Sequence, residues 1–315
     1  MVVSNPLEST DDKLLDLSVV VVTVYSSWYL EQCLASLEHQ VGAPEMEIIA
    51  VYDERMDDVS ELKEKFPCVQ FHNVSGLQTQ EALRSVGAVL ARGKIVALTV
   101  DHCTPEENWC RRIVEEHTGP YAAVGGALEK GIQPDTAINW AVHFYDYCNY
   151  GYFQNPVSRG PARNLSDGNV SYKREALNKV ADIWMNSFHV SFVNRALLAG
   201  GEKLWLSPDI IVYQNRNINF IRAVQVAYRR GRVFGSTRVS RTGLYKRVLY
   251  TFCSLILPLL LLGRFVMNIL SKRSQMAAIV KAFPFIVLLA VLWSVGEFMG
   301  YLTGRAMFKS GETYD

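Results

Sequence analysis

Three pairs of polar residues each follow a run of β-branched and apolar residues. Tyr25-Ser26 follows residues 17–24, Asp53-Glu54 follows 47–52, and Asp101-His102 follows 94–100. Carboxylates and an imidazole in such places can take a divalent cation or accept hydrogen bonds from a bound ligand. Singly, each pair is ordinary loop chemistry. A shared sheet edge raises the functional reading, because open α/β sheets bind ligands beyond the carboxyl ends of their strands.

The elements that would position these pairs are legible. Residues 17–24 (LSVVVVTV) read as a strand buried on both faces, as in a parallel sheet. Leu30, Cys33, Leu34 and Leu37 fall at helical spacing within 29–40, and 47–52 form a second strand. Residues 59–65 suit a helix and 69–73 a strand. Within 78–91, Ala82, Val86 and Val89 share a helical side, and 94–100 form a fourth strand. This alternation predicts right-handed βαβ units and a mostly parallel sheet.

Across 315 residues the formal net charge is +1, so no global basic field points to nucleic acid. The six cysteines are scattered without a CxxC pair, which fits a reducing compartment better than a disulfide or zinc framework. Residues 1–13 lack an apolar signal core, so the expectation is a catalytic part on the cytoplasmic side of a membrane. After about residue 240 charges thin out and long apolar runs begin, which predicts a boundary between a domain at 1–240 and a membrane-associated part at 241–315.

In their order and spacing, residues 17–238 resemble the family 2 glycosyltransferases, which have the GT-A fold. Residues 19–40 (VVVVTVYSSWYLEQCLASLEHQ) look like the family's opening strand, turn and helix, with Tyr25 at its tyrosine; Thr23 and Ser26 depart from the usual proline and asparagine. The resemblance gives nucleotide-facing roles to Thr23, Tyr25, Asp53, Arg84 and Asp101. Residues 96–109 (VALTVDHCTPEENW) resemble the segment bearing the family's DxD-type motif, here Val100-Asp101-His102 with its first acid missing. A departing sugar diphosphate gains negative charge that a divalent cation stabilises. The implied cofactor is Mg²⁺ or Mn²⁺, held by Asp101 and, in competition with a plain turn role, His102.

Residues 165–177 (LSDGNVSYKREAL) resemble the stretch framing donor sugar and acceptor, which places Gly168, Asn169 and Tyr172 there. Between Asp182 and Glu202, where the family carries its catalytic base, no carboxylate occurs. An inverting displacement needs a group that accepts the acceptor's proton. His189, whose intrinsic pKa suits the task, is the first substitute, with Asp182 and Asp167 as carboxylate alternatives. Residues 205–238 resemble the family's closing strand and basic segment. There Arg229, Arg230 and Arg232 suit a pyrophosphate clamp on a flexible segment at Gly231, or alternatively anionic lipid headgroups.

Two apolar segments follow, 248–270 with Pro258 as a candidate kink and 283–304 containing Glu297. They form either a two-span hairpin or a re-entrant segment followed by one span. Gly296, Gly300 and Gly304, four residues apart, suit close helix packing within the pair or between protomers. The expectation is an α/β GT-A domain with a C-terminal helical hairpin, transferring sugar from a nucleotide-sugar donor to a lipid-linked or glycan acceptor at the cytoplasmic membrane. The rival is a catalytically silent GT-A module serving as a membrane scaffold, motivated by the missing acids.

Overall fold

The first β-branched run is β1 (Leu17–Val22), buried along its whole length at the middle of a nine-stranded sheet. The computed structural model describes residues 15–23, 26–56, 58–131, 135–239, 243–270, 272 and 275–305. After β1 come α1 (Ser27–Glu38), β2 (Met46–Asp53), α2 (Ser60–Lys65), β3 (Val69–Val74), α3 (Gln80–Leu90) and β4 (Ile95–Val100). The alternation and its boundaries follow the sequence pattern to within about two residues at most ends. Side chains cap the first and third of these helices: Ser26 accepts from Trp28 N at 3.2 Å, and Thr79 from Ala82 N at 3.2 Å.

The chain continues through β5 (Cys103–Pro105), α4 (Trp109–Glu116), β6 (Ala123–Lys130) and α5 (Ala137–Val142), which runs into a π-helical turn, His143–Tyr147. Next are β7 (Gly160–Ala162), β8 (Val170–Lys173), α6 (Arg174–Lys179), α7 (Ala181–Trp184), α8 (Val190–Ala199) and β9 (Leu204–Gln214). The sheet order is β3-β2-β1-β4-β8-β6-β9-β5, with β7 on β9. β1, β2, β3 and β4 are mutually parallel, while β8 runs antiparallel to both β4 and β6. The sheet is therefore mixed but mostly parallel on the side that carries the predicted strand-end clusters.

Helices α9 (Phe220–Val239), α10 (Leu244–Cys253), α11 (Leu257–Ile269) and α12 (Met276–Thr303) complete the described chain. With 28 residues and an 18-residue stretch of mean hydropathy 2.3, α12 is long and apolar enough to cross a bilayer. The segment expected at 248–270 is instead a broken pair, α10 and α11, bent by 56°. The break precedes Pro258, which sits in the first turn of α11, where its missing N–H breaks no intrahelical bond.

The glycine spacing in α12 serves a partner the sequence did not suggest. A Cβ on Gly296 would stand 2.1 Å from Tyr228 O, and one on Gly300 2.3 Å from Arg232 O, both in α9. Reciprocally, Gly231 and Gly235 of α9 face the backbones of Trp293 and Glu297. Small residues on both sides let the two backbones touch. Gly304 has a different job, ending α12 in the left-handed conformation at φ 65°. The segment at Gly231 is thus not a flexible lid: it is the interior of a 20-residue helix clamped along α12.

Candidate active site

Strand register decides which polar residues share an edge. Val22 lies opposite Val51 of β2 and Val100 of β4, so Thr23, Asp53 and Asp101 all follow the carboxyl ends of adjacent strands. Thr23 Oγ1 donates to Asp101 Oδ2, and His102 donates its backbone N–H to Asp101 Oδ1 at 2.8 Å. The His102 ring meets the same oxygen through Nδ1 at 2.9 Å. Asp101 and His102 are both buried, and the imidazole lies edge-on to Tyr147 with centroids 5.4 Å apart.

An imidazole backed through one nitrogen by a carboxylate is the usual arrangement of a metal-bound histidine, whose other nitrogen is the ligand. The donor chemistry at Asp101-His102 therefore fits a divalent cation. Among the described residues no group of three or more His, Cys, Asp or Glu side chains forms a cage. Ligand phosphates and water would have to supply the rest of the coordination, as is common for Mg²⁺.

Asp53 is closed by its own neighbourhood. Its carboxylate accepts from the backbone N–H of Arg55 at 3.0 Å and of Gln78 at 2.8 Å, and from the Arg55 guanidinium on both oxygens. Burial alone would push its pKa up, but the hydrogen bonds from Arg55 and Gln78 outweigh it and hold the carboxyl below the usual range.

Beyond His102 lies a cavity of about 110 Å³ whose wall includes Arg84, Asp146, Tyr147, Asp167, Arg216 and Arg230. Several of these residues also line a larger, more open cavity of about 300 Å³, with Glu81 and His189 on its far side. Arg84, buried on α3, donates to Asp167 at 3.0 Å and to Gln80 at 3.3 Å. Arg216, from the segment after β9, donates to the Tyr147 hydroxyl at 3.2 Å, and Arg230 of α9 pairs with Asp146. Burial works against both cations. Tyr147 and Asp146 more than compensate at Arg216, Asp146 does so at Arg230, and both guanidinium pKa values end above their ordinary value. Two arginines, His102 and Arg84 thus converge on a cavity large enough for phosphate groups.

The predicted site residues separate into those that reach this cleft and those that do not. Arg84, Asp101-His102, Asp167, Gly168, His189 and Arg230 line it or abut its wall. Tyr25 lies outside the described residues. Asn169 is corrected to a scaffold role: it is buried, accepts from Trp109 Nε1 at 2.9 Å, and donates to the carbonyls of Ala127 and Ile210 at 2.8 and 3.0 Å. Its amide has no hydrogen left for a sugar. Tyr172 is likewise fully buried, with its hydroxyl donating to Asn194 at 2.8 Å. Asp182 stands exposed on α7 and lines neither cavity. Arg232 turns the other way, toward the Tyr228 hydroxyl and the Arg305 carbonyl, and Arg229 also lines neither cavity.

Sequence reasoning missed Glu81, Asp146, Tyr147 and Arg216. The available signals were slight: one carboxylate inside the aromatic run 143–153, and an arginine directly after the closing strand. Asp146 and Tyr147 lie on the π-helical turn, a feature that often marks functional positions.

The chain matches the family model described as Glycosyl transferase family 2 over residues 18–181. Among solved structures it is similar to the mannosyltransferase PcManGT from Pyrobaculum calidifontis, solved in complex with GDP-Man and Mn²⁺. The identity is 16%, with 92% of this chain and 90% of that chain covered at a TM-score of 0.54. No curated protein sequence matches it. With the family model spanning more than half of its length and the sheet topology agreeing, the chain belongs to the family 2 glycosyltransferases and is a sugar-transferring enzyme of the GT-A fold.

Proposed function

We propose that the protein transfers a sugar, with inversion, from a nucleotide-diphosphate sugar to a membrane-proximal, lipid-linked acceptor. The observation that carries this reading is the convergence of His102, Arg84, Arg216 and Arg230 on one cavity beside the carboxyl ends of β1 and β4. Asp53, at the next strand end, is set to hold the nucleoside once Arg55 yields its bonds. Arg216 and Arg230 take the pyrophosphate role, replacing the trio Arg229, Arg230 and Arg232. Thr23 holds Asp101, and Gly168 lets the backbone lie beside the donor sugar.

Asp101 and His102 are the residues that would hold Mg²⁺ or Mn²⁺, which neutralises charge on the leaving diphosphate. The arginines do the same work directly, at low dielectric, where fixed charges act strongly. On the opposite wall His189 is the base: its imidazole accepts the proton of the acceptor hydroxyl as that oxygen attacks C1.

The membrane assignment rests on α12 and on the exposed apolar residues of the bent pair. Phe252, Leu259 and Met267 are 66%, 72% and 77% exposed, a poor arrangement in water and a natural one against lipid. A third, small cavity of about 20 Å³ lies between α12 and the cleft wall: Leu289 and Trp293 of α12 line it together with Asp146, Tyr147, Arg216 and Arg230, so the apolar helix abuts the site. The catalytic domain is assigned to the cytoplasmic face, where nucleotide sugars are made.

The test is a transfer assay of the full chain in membranes, with lipid extract and a panel of UDP-, GDP- and dTDP-linked sugars plus Mn²⁺ or Mg²⁺. The expected result is consumption of one donor and label appearing in the lipid phase. No consumption of any donor defeats the transferase mechanism. Tight nucleotide binding without turnover would instead support the silent scaffold.

A further inference from the structure

The family's expected carboxylate is missing from the loop before α8, yet the structure brings one there from another element. Glu81, in the first turn of α3, has Oε1 3.9 Å from His189 Nδ1, at the start of α8. The approach is held by the backbone, since Phe188 N donates to Glu81 O at 2.8 Å. One turn further along α3, the Ser85 hydroxyl donates to the Met185 carbonyl. The loop 185–189 is therefore fastened to α3 at two points. His189 is restrained on its other side by Phe192, with ring centroids 5.0 Å apart.

We propose that Glu81 is a positioning residue that pairs with His189 and replaces the absent carboxylate by a carboxylate–imidazole dyad. This deepens the glycosyl-transfer reading above and rests on it. The 3.9 Å separation is ion-pair distance; tightening to a hydrogen bond with substrate bound, Glu81 takes Nδ1–H, which fixes the tautomer with Nε2 as acceptor, and its charge stabilises the imidazolium once formed. In the step itself the acceptor O–H bond breaks and its proton moves to Nε2. The freed oxygen pair forms the bond to C1, and the C1–O bond to the diphosphate breaks with its electron pair leaving on the diphosphate. The imidazolium later releases its proton to water.

Three features favour this pair over the other acids of the cleft. Glu81 and His189 both line the open cavity, and the His189 side chain is 43% exposed, so an acceptor hydroxyl has access. Asp167 is held by Arg84 at 3.0 Å and Asp146 is paired with Arg230, while Glu81 meets Arg84 only at 4.0 Å, so Glu81 is the least engaged of the three carboxylates. Asp182 lies outside the cavity. The charged groups around His189 are Glu81 and Arg84 on α3, Asp146 and Asp167 across the cavity, and Arg195 on its own helix over Phe192. Glu81 is the anion nearest the ring among them, so its charge is the one whose loss the imidazole should register.

The experiment compares wild type, Glu81→Gln and Glu81→Asp in membranes, using whichever of GDP-mannose, UDP-glucose, UDP-N-acetylglucosamine or dTDP-rhamnose the wild type consumes with lipid extract. Glu81→Gln should lower kcat by about 10- to 100-fold and leave the donor KM within about twofold, because the residue acts through the base and not on the donor. Glu81→Asp should recover part of the rate. An unchanged kcat, no recovery in Glu81→Asp, or a loss of donor affinity equal to the loss of rate would overturn the dyad. A wild type inert toward all four donors would instead count against the transferase reading itself.

Discussion

On the strand-end side, beside the cleft but lining neither cavity, Asp53 and Asp101 are each 1% exposed, and every carboxylate oxygen accepts at least one hydrogen bond. On the other, the side chains of Asp167 and His189 are 61% and 43% exposed, with one charged partner each at the cleft. The first wall follows from a parallel sheet: its strand ends are fixed by register, and polar groups buried there must be bonded or they cost folding energy. The second comes from loops and helix starts, where a side chain can stay in water. A leaving diphosphate is best met by groups already in place, because preorganised charge needs no rearrangement during the reaction. An acceptor that enters and leaves needs an open wall. Under the proposed mechanism, the contrast between the two walls is a division between electrostatic stabilisation and proton transfer.

That division can be broken by experiment. His189→Ala should lower kcat by about 100-fold or more, in the range of a lost general base, while nucleotide affinity stays within about twofold. Unchanged turnover would remove the proton-transfer role from the open wall. Asp101→Ala should weaken nucleotide binding in Mn²⁺ by roughly 100-fold, because it removes both a charge and the partner that orients His102. Calorimetry showing full affinity would place the cation elsewhere.

Asn169→Ala addresses rigidity instead of chemistry. It leaves Trp109 Nε1 and two buried carbonyls without partners and should cost about 2–4 kcal/mol in denaturant unfolding. A variant as stable as wild type would mean that the closed wall does not depend on this bracket.

Acid should loosen the same half of the molecule. Burial lowers the pKa of His117 to about 3 and of His143 to about 4, below the ordinary histidine value. The unfolded chain takes up these protons first, so the stabilisation is whole above about pH 6.5 and is lost as pH falls through 6.5 toward 4. By pH 5 the loss should be about 2 kcal/mol for each histidine, visible as a falling Tm, and smaller in His143→Gln. A flat Tm between pH 7 and 5 would contradict it. The smallest effect belongs to Asp182→Asn, which should leave rate and affinity within about twofold, since Asp182 lies outside the cleft.

Much of the closed wall was readable before any coordinates. β1, β2 and β4 announce themselves by β-branched runs, and each ends at the polar residue expected to matter, as Asp53 and Asp101 show. The open wall was legible only in part: Asp167 and His189 were named from the sequence, and their neighbours were not. Glu81 sits within an ordinary helix start, Asp146 within an aromatic run, and Arg216 after a strand, and none is marked by a local period. Asn169 and Tyr172 were misjudged because family position was visible while burial was not. Among Arg229, Arg230 and Arg232 of α9, helical phase selects Arg230 for the cleft and turns Arg232 toward the end of α12, a selection that required knowing the segment is helical.

The sequence by itself determined the layering of strands and helices, the edge on which Thr23, Asp53 and Asp101 gather, the apolar C-terminal end and the glycine spacing that packs it. These are properties of local periodicity, set by how often a side chain returns to the same face. Tertiary structure alone decided that Gly296 and Gly300 meet α9, that Arg216 and Arg230 share a cavity with His102, and that Glu81 comes to His189. Those pairs lie far apart along the chain, and only the closing of the sheet and its loops brings them within reach of each other's charge.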